Sequence, residues 1–155
     1  MSIWDKLSQD PAYFSFHGAT LEMLDMTKKY MHFRFCIEGG MYQDYPEDLK
    51  EEYLDPGERE LFVDMVLFSA VVLKAQSTLP PKINFGDVYF VSALEHIGDG
   101  VYALGLYTHD KQTYSIKFRF AQCMVKPLVE MDCSFYFNHP EIFDKPFSLK
   151  AFLKR

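Results

Sequence analysis

Two stretches of the chain alternate apolar and polar residues with the two-residue period of a β-strand. One is residues 111–123, KQTYSIKFRFAQC, and the other is Tyr30–Glu38, YMHFRFCIE. Successive side chains of a strand point to opposite faces, so each stretch predicts a strand with one buried and one solvated face. The predicted inward positions are Met31, Phe33, Phe35, Ile37, Tyr114, Ile116, Phe118 and Phe120, and the predicted solvated ones include His32, Arg34, Cys36, Lys117 and Arg119.

The neighbouring segments supply pairing partners for these two strands. Thr20–Met26 is a plausible strand that forms a hairpin with Tyr30–Glu38 through a turn at residues 27–29. Residues 86–97 and 101–108 flank the turn Gly98-Asp99-Gly100, so residues 86–123 read as a three-stranded meander that ends at Pro127. Residues 131–137 are predicted to add a short edge strand.

Residues 60–73, ELFVDMVLFSAVVL, are apolar at nearly every position, so neither period decides their structure. The stiff β-branched valines favour a strand buried on both faces, with Ser69 and Ala70 marking a bend, and a helix is the alternative. Short helices are predicted near the start of the chain, capped by Ser2, at residues 46–54 after Pro46, and at residues 147–155.

These elements predict a mainly β fold. A chain of 155 residues with 48% hydrophobic content can bury a core as one domain, here residues 1–155. We expect an antiparallel β-sandwich or a strongly curved sheet of about six or seven strands with short peripheral helices.

The negative charge of the chain is concentrated in an acidic insert, residues 41–60. Residues 44–60 contain eight acidic and two basic residues, which accounts for the whole formal charge of −6. This distribution argues against nucleic-acid binding and favours docking of a basic protein partner, because dense carboxylates speed encounter with a cationic surface. Interleaved tyrosines strengthen this hypothesis, since tyrosine often anchors interfaces. The alternative interpretation of the acidic insert is a solvated loop with a short helix. The predicted partner-binding residues are Tyr42, Asp44, Tyr45, Glu47, Asp48, Glu51, Glu52 and Tyr53.

A second hypothesis places a small-molecule or enzymatic pocket on the basic face of the sheet. If the two alternating strands were neighbours, Arg34, Lys117 and Arg119 would form a strip that could hold an anion, with Cys36 as a candidate thiolate. A structural subunit of a larger assembly is a third possibility.

No catalytic, metal-binding or phosphate-binding motif occurs in the sequence. The five histidines lack ligand spacing, no glycine-rich phosphate loop precedes a helix, and no nucleophile elbow is present. We therefore expect no metal and no cofactor, and a domain that is not an enzyme. The three cysteines form no CxxC pair, and the sequence shows no signal peptide and no apolar run long enough to span a bilayer. We therefore expect a cytoplasmic monomer or homodimer away from membranes.

Residues 16–21, FHGATL, resemble the opening of a loose group of small bacterial β-rich proteins that begin with a Phe-His-Asp-Ala-like motif followed by a hairpin. Gly18 stands where the group usually has Asp. The group includes immunity proteins that neutralise polymorphic toxins. The resemblance implies a non-enzymatic inhibitor whose acidic surface occludes the basic active site of a toxin such as a nuclease.

Overall fold

The fold is taken from a computed structural model, which describes residues 1–38, 45–52, 59–75, 82–83, 87–132 and 145–155. Nine strands and three short helices lie in these ranges. The helices are α1 (Ile3–Gln9), α2 (Glu47–Glu52) and α3 (Leu149–Leu153). The strands are β1 (Thr20–Met26), β2 (Tyr30–Glu38), β3 (Arg59–Phe68), β4 (Val71–Ala75), β5 (Lys82–Ile83), β6 (Tyr89–Gly98), β7 (Val101–Tyr107), β8 (Thr113–Arg119) and β9 (Gln122–Asp132).

All nine strands form one antiparallel sheet. Its order is β4-β8-β7-β6-β1-β2-β3-β9, and β5 pairs with β1. The β1–β2 hairpin and the β6-β7-β8 meander are both present, so these predictions and the mainly β fold class are confirmed. None of the helices in the described ranges is long and apolar enough to cross a membrane.

The sheet is strongly curved. Three strands separate β8 from β2, which would place them roughly 19 Å apart in a flat sheet at the usual spacing between strands. Instead, the rings of Phe33 on β2 and Phe118 on β8 lie 5.8 Å apart between centroids. The sheet must therefore curl until side chains of distant strands meet on its concave face.

Two sharp corners bring the ends of the sheet order together. Ser69, with φ of 54°, turns β3 into β4, and the pair Phe120-Ala121 turns β8 into β9. β3 pairs with β9 and β4 pairs with β8, while the Ala121 N–H donates to the Phe68 carbonyl at 2.9 Å between them. The predicted bend at Ser69-Ala70 and the strand interpretation of this apolar stretch are confirmed. The predicted burial on both faces holds for β3 but is wrong for β4, since Val71, Val72 and Leu73 are exposed.

The core fills the concave face and is closed by α1. Phe16 stacks on Phe35 with 4.4 Å between ring centroids, and Trp4 and Leu7 of α1 are buried in the same cluster. Ser2 caps α1 through a reciprocal pair of hydrogen bonds with Asp5, which satisfies N–H groups that the first turn leaves unpaired. The Val125 N–H donates to Ser8 Oγ at 2.8 Å, which fixes α1 against β9.

Three predictions about the strands are wrong. Residues 111–123 form parts of two strands rather than one, because the chain turns a corner at Phe120-Ala121. Pro127 does not end the meander but lies within β9, opposite Val63 and beside a register shift. Proline is tolerated there because β9 pairs only with β3 among the described strands, so the missing N–H breaks no second ladder. The sheet also has nine strands in the described ranges, more than expected. Residues 133–137 of the predicted edge strand lie outside the described residues.

The face of β2 predicted to be solvated is buried. His32, Arg34 and Cys36 are 0%, 6% and 3% exposed, because the outer face of β2 is covered as well as the inner one. The buried ring of Phe152 on α3 and the ring of Phe147 lie 5.8 Å apart, and Phe147 rests directly on this outer face. A segment near the end of the sequence thus covers a polar part of the sheet.

Candidate functional site

A cluster of charged side chains lies buried on the outer face of β2 and β3. Asp64 faces Arg34 across the two paired strands and is fully buried. Its Oδ1 accepts hydrogen bonds from Arg34 Nε at 2.8 Å and from His32 Nε2 at 2.7 Å. Its Oδ2 accepts from Arg34 Nη2 at 3.1 Å and from Arg155 Nη1 at 2.7 Å. One carboxylate therefore joins two strands and the segment that covers them.

The imidazole of His32 is held between Asp64 and an aromatic ring. Phe147 stacks on it with 3.6 Å between centroids and 10° between the ring planes. Because Nε2 donates to a carboxylate, the neutral ring carries its proton there and leaves a lone pair on Nδ1. Nδ1 is buried and has no hydrogen-bond partner among the described residues. This is a polar atom that the fold leaves unsatisfied.

The protonation states follow from burial and from the hydrogen bonds that join His32, Arg34 and Asp64. Burial acts to raise the pKa of Asp64, but hydrogen bonds from His32 and Arg34 outweigh it and hold that pKa well below its ordinary value. Burial lowers the pKa of His32, and the hydrogen bond to Asp64 offsets only part of this effect. At neutral pH the cluster thus contains one carboxylate, two guanidinium groups and a neutral imidazole.

A cavity of about 360 Å³ adjoins the cluster between α1, β9 and Arg155. The Arg155 guanidinium connects the two features, since it also donates to the Pro127 carbonyl at 2.7 Å. Lys126 Nζ donates to the carbonyls of Phe152 and Arg155, at 3.0 Å each. The cavity is lined by Trp4, Asp5, Ser8, Met124, Val125, Lys126, Pro127 and Arg155.

The geometry of the charged cluster favours structural cross-linking over catalysis. A histidine–carboxylate pair serves as a general base when its free nitrogen reaches substrate, but His32 is 0% exposed beneath Phe147. Ser8, the hydroxyl in the cavity lining, donates to the Trp4 carbonyl at 2.8 Å and accepts from Val125. No group of three or more potential metal ligands occurs among the residues the structure describes.

A different surface feature is strand β4. Val71, Val72 and Leu73 are consecutive, large and apolar, and they are 57%, 43% and 47% exposed. β4 lies at one end of the sheet order and pairs only with β8 among the described strands. A register shift between Val72 and Lys74 interrupts this pairing. Exposed apolar side chains on an incompletely paired strand are a typical protein-binding surface.

The predicted basic strip does not form. Arg34 is buried against Asp64, and the strands β2 and β8 are not neighbours. Lys117 and Arg119 share the outer face of β8, where Arg119 is exposed, and three strands lie between β8 and the strand of Arg34. Cys36 is a buried side chain on β2, as expected of a cysteine that packs rather than reacts.

The acidic insert is only partly as predicted. Tyr45 is a core residue rather than an interface anchor, since it is 5% exposed, packs edge-on against Phe14 and donates to the His17 carbonyl at 3.3 Å. Asp48 forms an ion pair with Lys6 at 2.7 Å. Glu47 keeps 80% of its side chain exposed although it lies 3.3 Å from Lys50. Tyr42, Asp44 and Tyr53 and the side chains of Glu51 and Glu52 lie outside the described residues.

The charged cluster was missed at the level of sequence, although one signal for it was present. Asp64 is the one acid inside the apolar run LFVDMVLF, and a charge in a strand buried on both faces needs a partner.

No protein-family model matches the chain, and neither curated proteins nor solved structures give a match. The function is therefore inferred from the geometry of the described residues.

Proposed function

We propose that this chain is a non-catalytic protein-binding domain that uses strand β4 to bind a basic protein partner. The observation that carries the proposal is the exposure of Val71, Val72 and Leu73 on a strand with an open edge in the described part of the sheet. An extended segment of the partner would pair with the free edge of β4, and these side chains would pack against it, as in other cases of β-strand addition.

Charge supports a basic partner. The excess of −6 is carried by residues 44–60, and Glu47 on α2 presents a largely exposed carboxylate. Such charge raises the association rate more than it adds to affinity, because exposed pairs are screened by water and salt. Together with the opening motif FHGATL, this favours an immunity-type inhibitor that blocks the basic site of a toxin.

The test uses two valines of similar exposure. Val72 lies on β4 and is 43% exposed, whereas Val88 lies outside the strands and is 47% exposed. The partner is captured from a lysate of the source cells at low and moderate salt, identified and purified, and its binding to native chain, V72E and V88E is titrated. We expect V72E to weaken binding by about tenfold or more and V88E to change it by less than about twofold. Native affinity for V72E, or no captured basic protein at either salt, contradicts the proposal.

The electrostatic part is tested by kinetics. The variant E47K/E51K/E52K leaves the Asp48–Lys6 ion pair intact, and E95K reverses an exposed acid on β6 as its control. We expect slower association and a flatter salt dependence for the triple variant only. An unchanged association rate would show that the acidic insert takes no part in docking.

A further inference from the structure

We propose that the cavity between α1 and β9 is a binding site for a small organic anion with an apolar body, whose negative group is held by Lys126 and Arg155. The cavity does not include β4, so the proposal stands apart from the protein-binding function.

The size and walls of the cavity suit such a ligand. Its volume of about 360 Å³ falls in the range of small-molecule sites, which are mostly apolar with a few convergent polar groups. Trp4, Met124, Val125 and Pro127 supply the apolar wall, and Lys126 and Arg155 place two cationic side chains at the same opening. An aromatic or aliphatic body would fit against the first set while its anionic group reached the second.

The side-chain charges leave an excess of positive charge at this place. Arg34 and Arg155 share the single carboxylate of Asp64, so one of the two guanidinium charges has no counter-charge among the residues that the structure describes. Lys126 donates to the Phe152 carbonyl and to a main-chain oxygen of Arg155, and no acidic side chain pairs with it among the described residues. Two donations also leave one of its three N–H groups available. A bound anion would supply the missing counter-charge in a charge-assisted hydrogen bond.

Asp5 is the one acid among the described residues of the lining, and its carboxylate already accepts hydrogen bonds. Its Oδ2 accepts from the Ser2 N–H at 3.1 Å and from Ser2 Oγ at 2.9 Å as the cap of α1. The charged side chains of the lining are thus two cations and one carboxylate. The opposite preference, a cation held by Asp5 over the Trp4 ring, is the competing outcome that the experiment must separate.

Trp4 makes the site observable, because it is the only tryptophan in the chain and lines the cavity. The probe is 1-anilinonaphthalene-8-sulfonate, compared with neutral N-phenyl-1-naphthylamine, which has the same rings without the sulfonate, and with the cation phenyltrimethylammonium. Quenching of Trp4 fluorescence in the native chain is followed by titration, and calorimetry gives the stoichiometry.

We expect saturable one-to-one binding of the sulfonate, at least about tenfold tighter than that of the neutral analogue, the ratio expected for one charge-assisted hydrogen bond. K126M should remove most of this preference. K117M, which removes a lysine from the outer face of β8, and V72E, which alters β4, should bind within about twofold of the native chain.

Equal binding of the neutral analogue, tighter binding of the cation, or no saturable quenching of Trp4 would each overturn the proposal. The comparison of probes on the native chain decides the matter even if K126M does not fold. Reduced sulfonate binding in V72E would place the probe on β4 and would equally refute a site in the cavity.

Discussion

The buried carboxylate of Asp64 gives the sharpest test of the fold. Replacing Asp64 by Asn keeps the shape of the side chain but removes the charge that compensates Arg34, which is 6% exposed. It also replaces one acceptor oxygen by an NH2 group, which can only donate. At least one guanidinium N–H that faces this position therefore loses its partner. Breaking a buried ion pair by removing one partner costs about 3–5 kcal/mol, because a buried charge is left uncompensated.

We therefore expect D64N to lose about 3–5 kcal/mol of its free energy of unfolding. The measurement is urea denaturation at pH 7, where the midpoint should fall while the slope stays constant. D48N is the matched control, since the Asp48–Lys6 pair is part-exposed, with side chains 27% and 35% accessible, and should contribute only about 0–1 kcal/mol. A loss in D64N no larger than that in D48N would refute the account of the cluster.

The pH dependence of stability gives a second readout of the same carboxylate. The pKa of Asp64 is lower in the folded chain than its ordinary value of 3.8, so the folded state holds fewer protons near that pH. Its contribution is complete above the unfolded pKa and is lost as the pH falls through and below it. The native chain should lose stability on acidification faster than D64N does. Parallel curves would show that Asp64 does not titrate differently on folding.

Three further predictions concern other buried or close-packed positions. Because burial lowers the pKa of His32, the native chain should lose stability between pH 7 and pH 5 at up to about 1.4 kcal/mol per pH unit. H32Q should show a shallower slope in urea unfolding, and an equal slope would contradict the assignment. Burial raises the pKa of Cys123 to about 12, and Cys36 is buried as well. Both thiols should therefore react slowly with iodoacetamide in the folded chain and fast in urea, as measured by mass spectrometry of their peptides. Rapid labelling of Cys36 in the folded chain would instead favour a reactive site. A Cβ on Gly105 would lie 2.5 Å from Ser92 Oγ. G105A should therefore stabilise the chain by about 0.5–1 kcal/mol in an S92A background and by less, or not at all, with Ser92 present. A double-mutant cycle of thermal unfolding would show this as non-additivity, whereas additive effects would mean that the Ser92 side chain rotates away freely.

The hydrophobic pattern predicted most of the sheet but only one of its two corners. Alternation located β2 at its observed bounds, and the valine-rich stretch was correctly read as a strand with a bend at Ser69. The bend at Phe120 was missed although the pattern changes there, since the apolar even positions end at Phe120, Gln122 is polar, and the buried side chains of β9 are Cys123 and Val125.

Alternation also misled at the charged cluster. His32 and Arg34 lie on the face of β2 whose positions are polar in sequence. Alternation does not distinguish a face exposed to solvent from a face whose charges are paired beneath another segment. The distinction depends on Arg155 and Phe147, which are distant in sequence and carry no local sign of where they pack. The burial of this charged cluster thus depends on tertiary contacts that no periodicity encodes.

The pairing of β3 with β9 has a consequence for how the chain reaches its fold. β3 carries fully buried side chains on both faces, yet the strand that covers its second edge is the last of the described strands to be synthesised. Until β9 emerges, a ten-residue strand with Leu61, Phe62 and Val63 at its start has an open, apolar edge. Chains interrupted before Gln122 should therefore aggregate during synthesis rather than accumulate as soluble partial sheets, and the pairing of β3 with β9 should form late and slowly because it is long-range in sequence.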